Sequence, residues 1–223
     1  MHTTRLAPLA LAAGLLLTGV PGQVLAVNGG ACKAPYSVSV VPANFETATG
    51  APNPIDNPYF PLAPGMTWTY EGFKEGGSLS DVMTVTGDSK TIMGVPITVV
   101  RDTAYQDGIK AEDTFDWYAQ DDAGNVWYFG GDTREFDEQG NVTSTEGSWE
   151  AGHNGNLPGI LMLAHPHSGA TYRQEFGIDV AVDESTVLSL HRHLTVPLTR
   201  MVRQTRAGAP KSFQRLKEIL ERS

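Results

Sequence analysis

Residues 111–136 read AEDTFDWYAQDDAGNVWYFGGDTREF, and the fold is decided in this stretch. Phe115, Trp117, Tyr118, Trp127, Tyr128, Phe129 and Phe136 crowd it, and Asp121-Asp122-Ala123-Gly124-Asn125 separates its two densest runs. Two aromatic and β-branched runs about a short Asp/Gly/Asn segment predict a β-hairpin. Glycine tolerates positive φ there, and Asp and Asn side chains bond the turn backbone. Residues 137–142, DEQGNV, echo 121–126, DDAGNV. The echo is a repeated hairpin turn, which predicts a meander of strands adjacent in sequence.

Working outward, period-2 segments bounded by turn residues predict strands at 67–70, 79–86, 92–105, 110–120, 126–130, 133–137, 142–150, 171–176, 180–190 and 195–202. Asp107-Gly108 is a hairpin dipeptide. Leu79, Asp81, Met83 and Val85 share one strand face, and Glu112 and Asp116 share another, opposite Asp113, Phe115 and Trp117. Residues 152–169 break the pattern and read as a long loop over one face of the sheet. The expected fold is mainly β: one domain over 65–190, a twisted antiparallel meander curved into a half-barrel or open barrel. An extended leader, 27–64, precedes it, with Tyr59, Phe60 and Leu62 as apolar anchors among prolines that forbid a central strand.

The two ends differ from this body. Residues 1–26 carry one early arginine, an apolar run centred on Leu15-Leu16-Leu17, and small residues up to Ala26, the layout of a secretory signal peptide cleaved after Ala26. The run is too short for a comfortable membrane span, so the mature chain is expected outside the cytoplasm without one. Cys32 is the only cysteine, so no internal disulfide can form. Its place near the signal raises a lipid anchor, although Gly29, Gly30 and Ala31 depart from the usual lipoprotein pattern, and a free thiol is the plainer reading. The tail, 191–223, is basic: Arg192, Arg200, Arg203, Arg206, Lys211, Arg215, Lys217 and Arg222 stand against Glu218 and Glu221. It departs from the Asp/Gly turns used earlier, as a divergent or truncated end would. Residues 212–222 place Phe213, Leu216, Ile219 and Leu220 at helical spacing, which predicts a short helix. The whole chain carries a net charge of −9 despite this basic tail, so the body before it is strongly acidic, which excludes nucleic acid as its partner.

Three phrases resemble a group of uncharacterised exported bacterial proteins, some of them described as lipoproteins. They are DNPYFPL at 56–62 with Pro64-Gly65 and Trp68; DWYAQD at 116–121 with GNVWYFG at 124–130; and GSWEAG at 147–152 with Pro158-Gly159-Ile160. The resemblance implies export and a single β-rich domain, and no reaction.

Four constellations bear on chemistry. Trp68, Trp117, Tyr118, Trp127 and Tyr128 could line the concave side of a curved sheet and hold an apolar or amphipathic ligand; the plainer reading is an aromatic core. His165 and His167 alternate about a proline, with His153 near, and could bind zinc or copper with Glu150 or Glu175 as a further ligand; the plainer reading is a polar surface loop. Carboxylates crowd the centre, Glu112 and Asp116 among them, and a pair could act on glycosides. Asp121, Asp122, Asp137 and Glu138 are explained by turns. No nucleophile elbow or phosphate-cradling loop is present. The expected function is non-enzymatic binding of an apolar or amphipathic ligand, or of an envelope protein. A metal-dependent envelope hydrolase using His165 and His167 is the alternative, and an interaction module without ligand the third reading.

Overall fold

The computed structural model describes residues 36–74, 77–193 and 196–204. The expected signal segment with Ala26, Cys32 and the helix at 212–222 lie outside the described residues. No helix among those described is long and apolar enough to cross a membrane.

The central hairpin forms as the sequence predicts. Strand β4 (Ile109–Gln120) pairs antiparallel with β5 (Val126–Phe136), in a register that runs from Gln120 against Val126 to Glu112 against Glu135. In the turn, Asp121 N–H donates to Asn125 O at 3.0 Å and Asn125 N–H to Asp121 Oδ1 at 2.8 Å, with Gly124 at φ +86°. The echoed segment repeats the pattern: Asp137 N–H to Asn141 O at 3.0 Å, Asn141 N–H to Asp137 Oδ1 at 2.8 Å, and Gly140 at φ +80°. It leads into the short strand β6 (Val142–Ser144), which pairs with β5.

Before the hairpin come β1 (Thr67–Lys74), β2 (Gly77–Ile92) and β3 (Val95–Gln106), each antiparallel to the next. Strand β2 is longer than its sequence suggests. The sequence ends a strand at 86 and starts the next at 92, but the chain continues through Gly87 and Asp88 in an irregularity between Val85 and Ser89, where Asp88 N–H donates to Thr86 Oγ1 at 3.1 Å. After the hairpin, β7 (Trp149–Glu150) and β8 (Gly159–Met162) both pair with β5. The expected loop at 152–169 therefore contains a strand. Its glycine is the reason: a Cβ on Gly159 would stand 2.3 Å from the Gln174 carbonyl oxygen, so only glycine lets β8 come this close to β9 (Thr171–Gly177). Strands β9, β10 (Ala181–His193) and β11 (Val196–Gln204) form a second antiparallel sheet in the order β11-β10-β9. The antiparallel meander curls into a half-barrel.

The leader is tied to the hairpin as well as packed on it. Asn57 Nδ2 donates to Gly124 O at 2.8 Å and Leu163 O at 3.1 Å, and Gln120 Oε1 accepts the backbone N–H of Asn57 at 2.9 Å. Phe45 sits edge-on to Trp127 and Phe129 at centroid distances of 6.0 and 5.9 Å, and Ile55 and Leu62 are buried with it. Phe60 reaches Tyr118 at 5.6 Å, on the opposite face of the sheet.

The glycine at β8 gives a sharp expectation. Gly159→Ala forces backbone against backbone and should cost roughly 2 kcal/mol or more. Gly140→Ala, where a Cβ meets nothing within 4 Å and only positive φ opposes it, should cost about 1 kcal/mol. Urea-denaturation midpoints of the two variants check the order.

Candidate functional site

The strand registers set the concave face in rows. Tyr70, Asp81, Ala104, Glu112 and Glu135 follow one another across β1 to β5. The next row is Trp68, Met83, Asp102, Thr114 and Thr133. The third is Val85, Val100, Asp116, Gly131 and, on β7, Trp149. Tyr118 and Tyr128 face each other in the fourth, with ring centroids 5.2 Å apart. Glu175 on β9 and Asp183 on β10 are buried and paired in register on the second sheet. The interior thus holds six buried carboxyls: Asp81, Asp102, Glu112, Asp116, Glu175 and Asp183. No lysine, arginine or histidine among the described side chains is buried.

Asp116 is 0 % exposed and lies at the centre of this arrangement. Tyr128 donates its hydroxyl to Asp116 Oδ1 at 2.7 Å. Gly131 makes room for that bond, since a Cβ there would lie 3.0 Å from the Tyr128 hydroxyl and 3.1 Å from Asp116 Oδ1. Burial raises the Asp116 carboxyl from near 3.8 to about 8; the Tyr128 bond opposes the rise, and the charges of Glu175, Glu112 and Asp81 add to it. Asp102 is held well above the usual carboxylate range, first by burial, then by a hydrogen bond to Asp81 and the charge of that residue. A hydrogen bond between two carboxyls requires that one of them keep a proton. Tyr70 is raised by burial and by the charges of Asp81 and Asp102, so it faces the same group. Asp102 Oδ1, Asp116 Oδ2 and Trp149 Nε1 are buried without a hydrogen-bond partner.

The opposite face treats its acid differently. Burial pushes Asp113 up, but Arg101, at 2.8 Å from Nε and 2.7 Å from Nη2, together with Lys110, more than offsets it and holds the carboxyl below its ordinary value.

The expected ligand-binding aromatics divide between the two faces. Trp68, Tyr118 and Tyr128 lie on the concave face. Trp117 stands opposite Val99, and Trp127 opposite Ala119, on the other face. Lys90 Nζ lies 3.6 Å from the Trp117 ring centre, while Trp127 Nε1 donates to Asp121 Oδ2 at 2.8 Å beneath the leader. The five therefore do not line one surface, because adjacent strand positions point to opposite sides. His153, His165 and His167 are exposed; His153 pairs with Glu150 at 3.3 Å, and His167 Nδ1 lies 3.1 Å from Ser168 O. Glu175, the other suggested ligand, is in the interior, away from this exposed set. Among the described residues no three His, Cys, Asp or Glu are grouped to hold a metal ion. Glu112 and Asp116 do share the inner face, with Asp113, Phe115 and Trp117 on the other, as their spacing predicts. Sequence reading missed Asp102 and Asp183, and named Glu175 only as a ligand beside the histidines, not as an interior acid. The signal was present: Asp102 alternates with Val100 and Ala104, and Asp183 with Ala181 and Ser185, so each acid holds a core-facing position.

The pH dependence follows from these groups. Below about pH 4 the folded and unfolded chains both keep the Asp116 proton, and its penalty is absent. Between that pH and about 8, only the folded chain keeps it, so stability falls as pH rises. Melting temperature should therefore drop from acid to mildly alkaline pH. Asp116→Asn, which retains an acceptor for Tyr128, should flatten that slope and raise stability near pH 8 by on the order of a few kcal/mol. Calorimetric melting of both proteins across this range checks the sign.

No protein-family model, curated protein or solved structure matches this chain.

Proposed function

We propose that the protein is exported and acts without catalysis as a binding module for a small amphipathic ligand, seated on the concave face among Trp68, Tyr70, Tyr118 and Tyr128. The observation that carries this reading is the pair Asp102 and Asp116, each buried with one carboxyl oxygen lacking a hydrogen-bond partner. A fold that needed only a core would place valine or leucine there, as it does at Val85 and Val100 in the same row as Asp116. Buried polar groups left incomplete are costly, and chains retain them where they meet something else. Half-buried Trp68 and Tyr70 on β1, the outermost strand of the larger sheet, supply an amphipathic approach. Export rests on the layout of residues 1–26 and on the resemblance to exported bacterial proteins.

A protein partner is the second reading. Phe73, also on β1, is 75 % exposed, and an outermost strand is a natural place for another chain to add on.

Native and denatured mass spectrometry of protein purified from its exporting host tests the first reading. The denatured mass should equal residues 27–223, and the native mass should exceed it by one small molecule. A native mass equal to that of the bare chain overturns ligand binding in favour of the partner, and a denatured mass that keeps residues 1–26 overturns export by cleavage at Ala26.

A further inference from the structure

We propose that the concave interior takes a small primary amine bearing a hydroxyl group, with Asp102 and Asp116 accepting from the ammonium and Trp149 donating to the hydroxyl oxygen. The inference rests on the binding reading above and names its ligand class.

Three independent features point to this chemistry. The first is the direction of the unmet bonds. Asp102 Oδ1 and Asp116 Oδ2 are acceptors without donors, on neighbouring rows of one face. A carboxylate oxygen is best met by a charged N–H donor. The second is Trp149, 5 % exposed, whose indole N–H lacks an acceptor. It shares the row of Asp116 with only Gly131 between them, and its ring stands edge-on to Tyr128 at 5.6 Å, whose hydroxyl is already on Asp116. An unmet donor beside unmet acceptors fits a ligand with both functions. The third is the wall. Tyr70, Tyr118 and Tyr128 present aromatic rings beside the carboxyls, and ring faces attract organic cations.

Other cations fit less well. A calcium ion needs six to eight oxygens at about 2.3–2.6 Å, and no such grouping occurs among the described residues. A quaternary ammonium has the charge but no N–H for the two carboxyl oxygens.

Binding exchanges one cation for another. The ammonium enters carrying its proton, Asp116 releases its own to solvent, and no covalent bond forms. The groups facing Asp116 are Asp81 from β2, Asp102 from β3, Glu112 from β4, Tyr128 from β5 and Glu175 from β9, with Tyr70 from β1 beside Asp81 and Asp102. None is a cation; burial and the neighbouring carboxyls disfavour an ionised, empty Asp116, and the single Tyr128 hydrogen bond only partly opposes them. Affinity should accordingly rise with pH, by about tenfold per pH unit for one proton released.

Isothermal titration calorimetry of the mature chain with ethanolamine tests this, at about pH 6 and about pH 8 in buffers of different ionisation heat. Propylamine, tetramethylammonium and calcium chloride serve as comparisons. Ethanolamine should bind with proton release, more tightly than propylamine and more tightly at the higher pH, and tetramethylammonium should not bind. Asp116→Asn should melt higher than wild type without amine yet lose ethanolamine binding, a combination that a purely structural carboxyl would not give. Asp102→Asn provides the same readout should the first variant fail to fold. Trp149→Phe should erase the preference for ethanolamine over propylamine. Absence of binding by every amine overturns the inference, as does wild-type affinity in both Asn variants or tighter binding of calcium. If amines fail while native mass spectrometry finds a retained neutral molecule, the inference falls and the binding reading stands.

Discussion

Everything in the interior depends on one constraint: a carboxyl on the concave face has no described cation beside it and must keep its proton or find a substitute. Asp116 shows how the chain meets that constraint locally. A glycine in the facing strand position removes the side chain that would have filled the space, and Tyr128 folds over the gap to donate to the carboxyl. The bond satisfies one oxygen and favours ionisation, while burial and the surrounding acids work against it. Burial wins, because a buried charge loses far more hydration than one neutral donor restores. The group therefore titrates near neutrality rather than in acid.

Comparison with Asp113 isolates the cause. The two acids are three residues apart on β4, on opposite faces. Asp113 meets a forked guanidinium and a lysine at the rim of the sheet and stays ionised. Asp116 meets a phenol and other acids. Residue type is the same, and strand parity assigns one to a pair of cations and the other to an interior of acids. The fold does not protect Asp116 from its neighbours; it gathers them, bringing Glu175 across from the second sheet.

Much of this was legible in the sequence. The turns were, because Asp-x-x-Gly-Asn encodes its own geometry: the Asp side chain bonds the turn backbone and the glycine takes the positive φ. The meander followed from the echo of that turn, and the placement of Glu112 and Asp116 on one face from period-2 counting. Other features were not legible, for distinct physical reasons. Gly87-Asp88 carries turn chemistry that the pairing of β2 with β3 overrides with a local irregularity. Strand β8 is short and framed by glycine and proline, and it becomes a strand only because β5 offers it a partner; that is tertiary information. Trp117 and Trp127 were grouped with Tyr118 and Tyr128 by aromatic type, although adjacency in sequence already placed them on opposite faces. Asp102 and Asp183 carried a parity signal that acidity disguised, since an acid in a strand is ordinarily assigned to solvent.

Such an interior requires stability from elsewhere, and the sheet supplies it on its other side. There Ile92, Val95, Ile97, Val99 and Phe129 are buried together with Phe45 from the leader, and the one buried acid on that face, Asp113, is paired with Arg101 and Lys110. The leader is fastened by Asn57 and Gln120 to the turn that defines the hairpin, so the apolar side and the central turn form one unit. The division explains why the concave face can keep incomplete polar groups: the cost is confined to one side of strands whose other side is conventionally packed. It also sets where disturbance should be felt. Loosening the leader weakens the support under the whole sheet, whereas neutralising an interior acid removes a penalty and leaves that support untouched. The two sides of the sheet thus carry opposite burdens, apolar support on one and incompletely paired acids on the other.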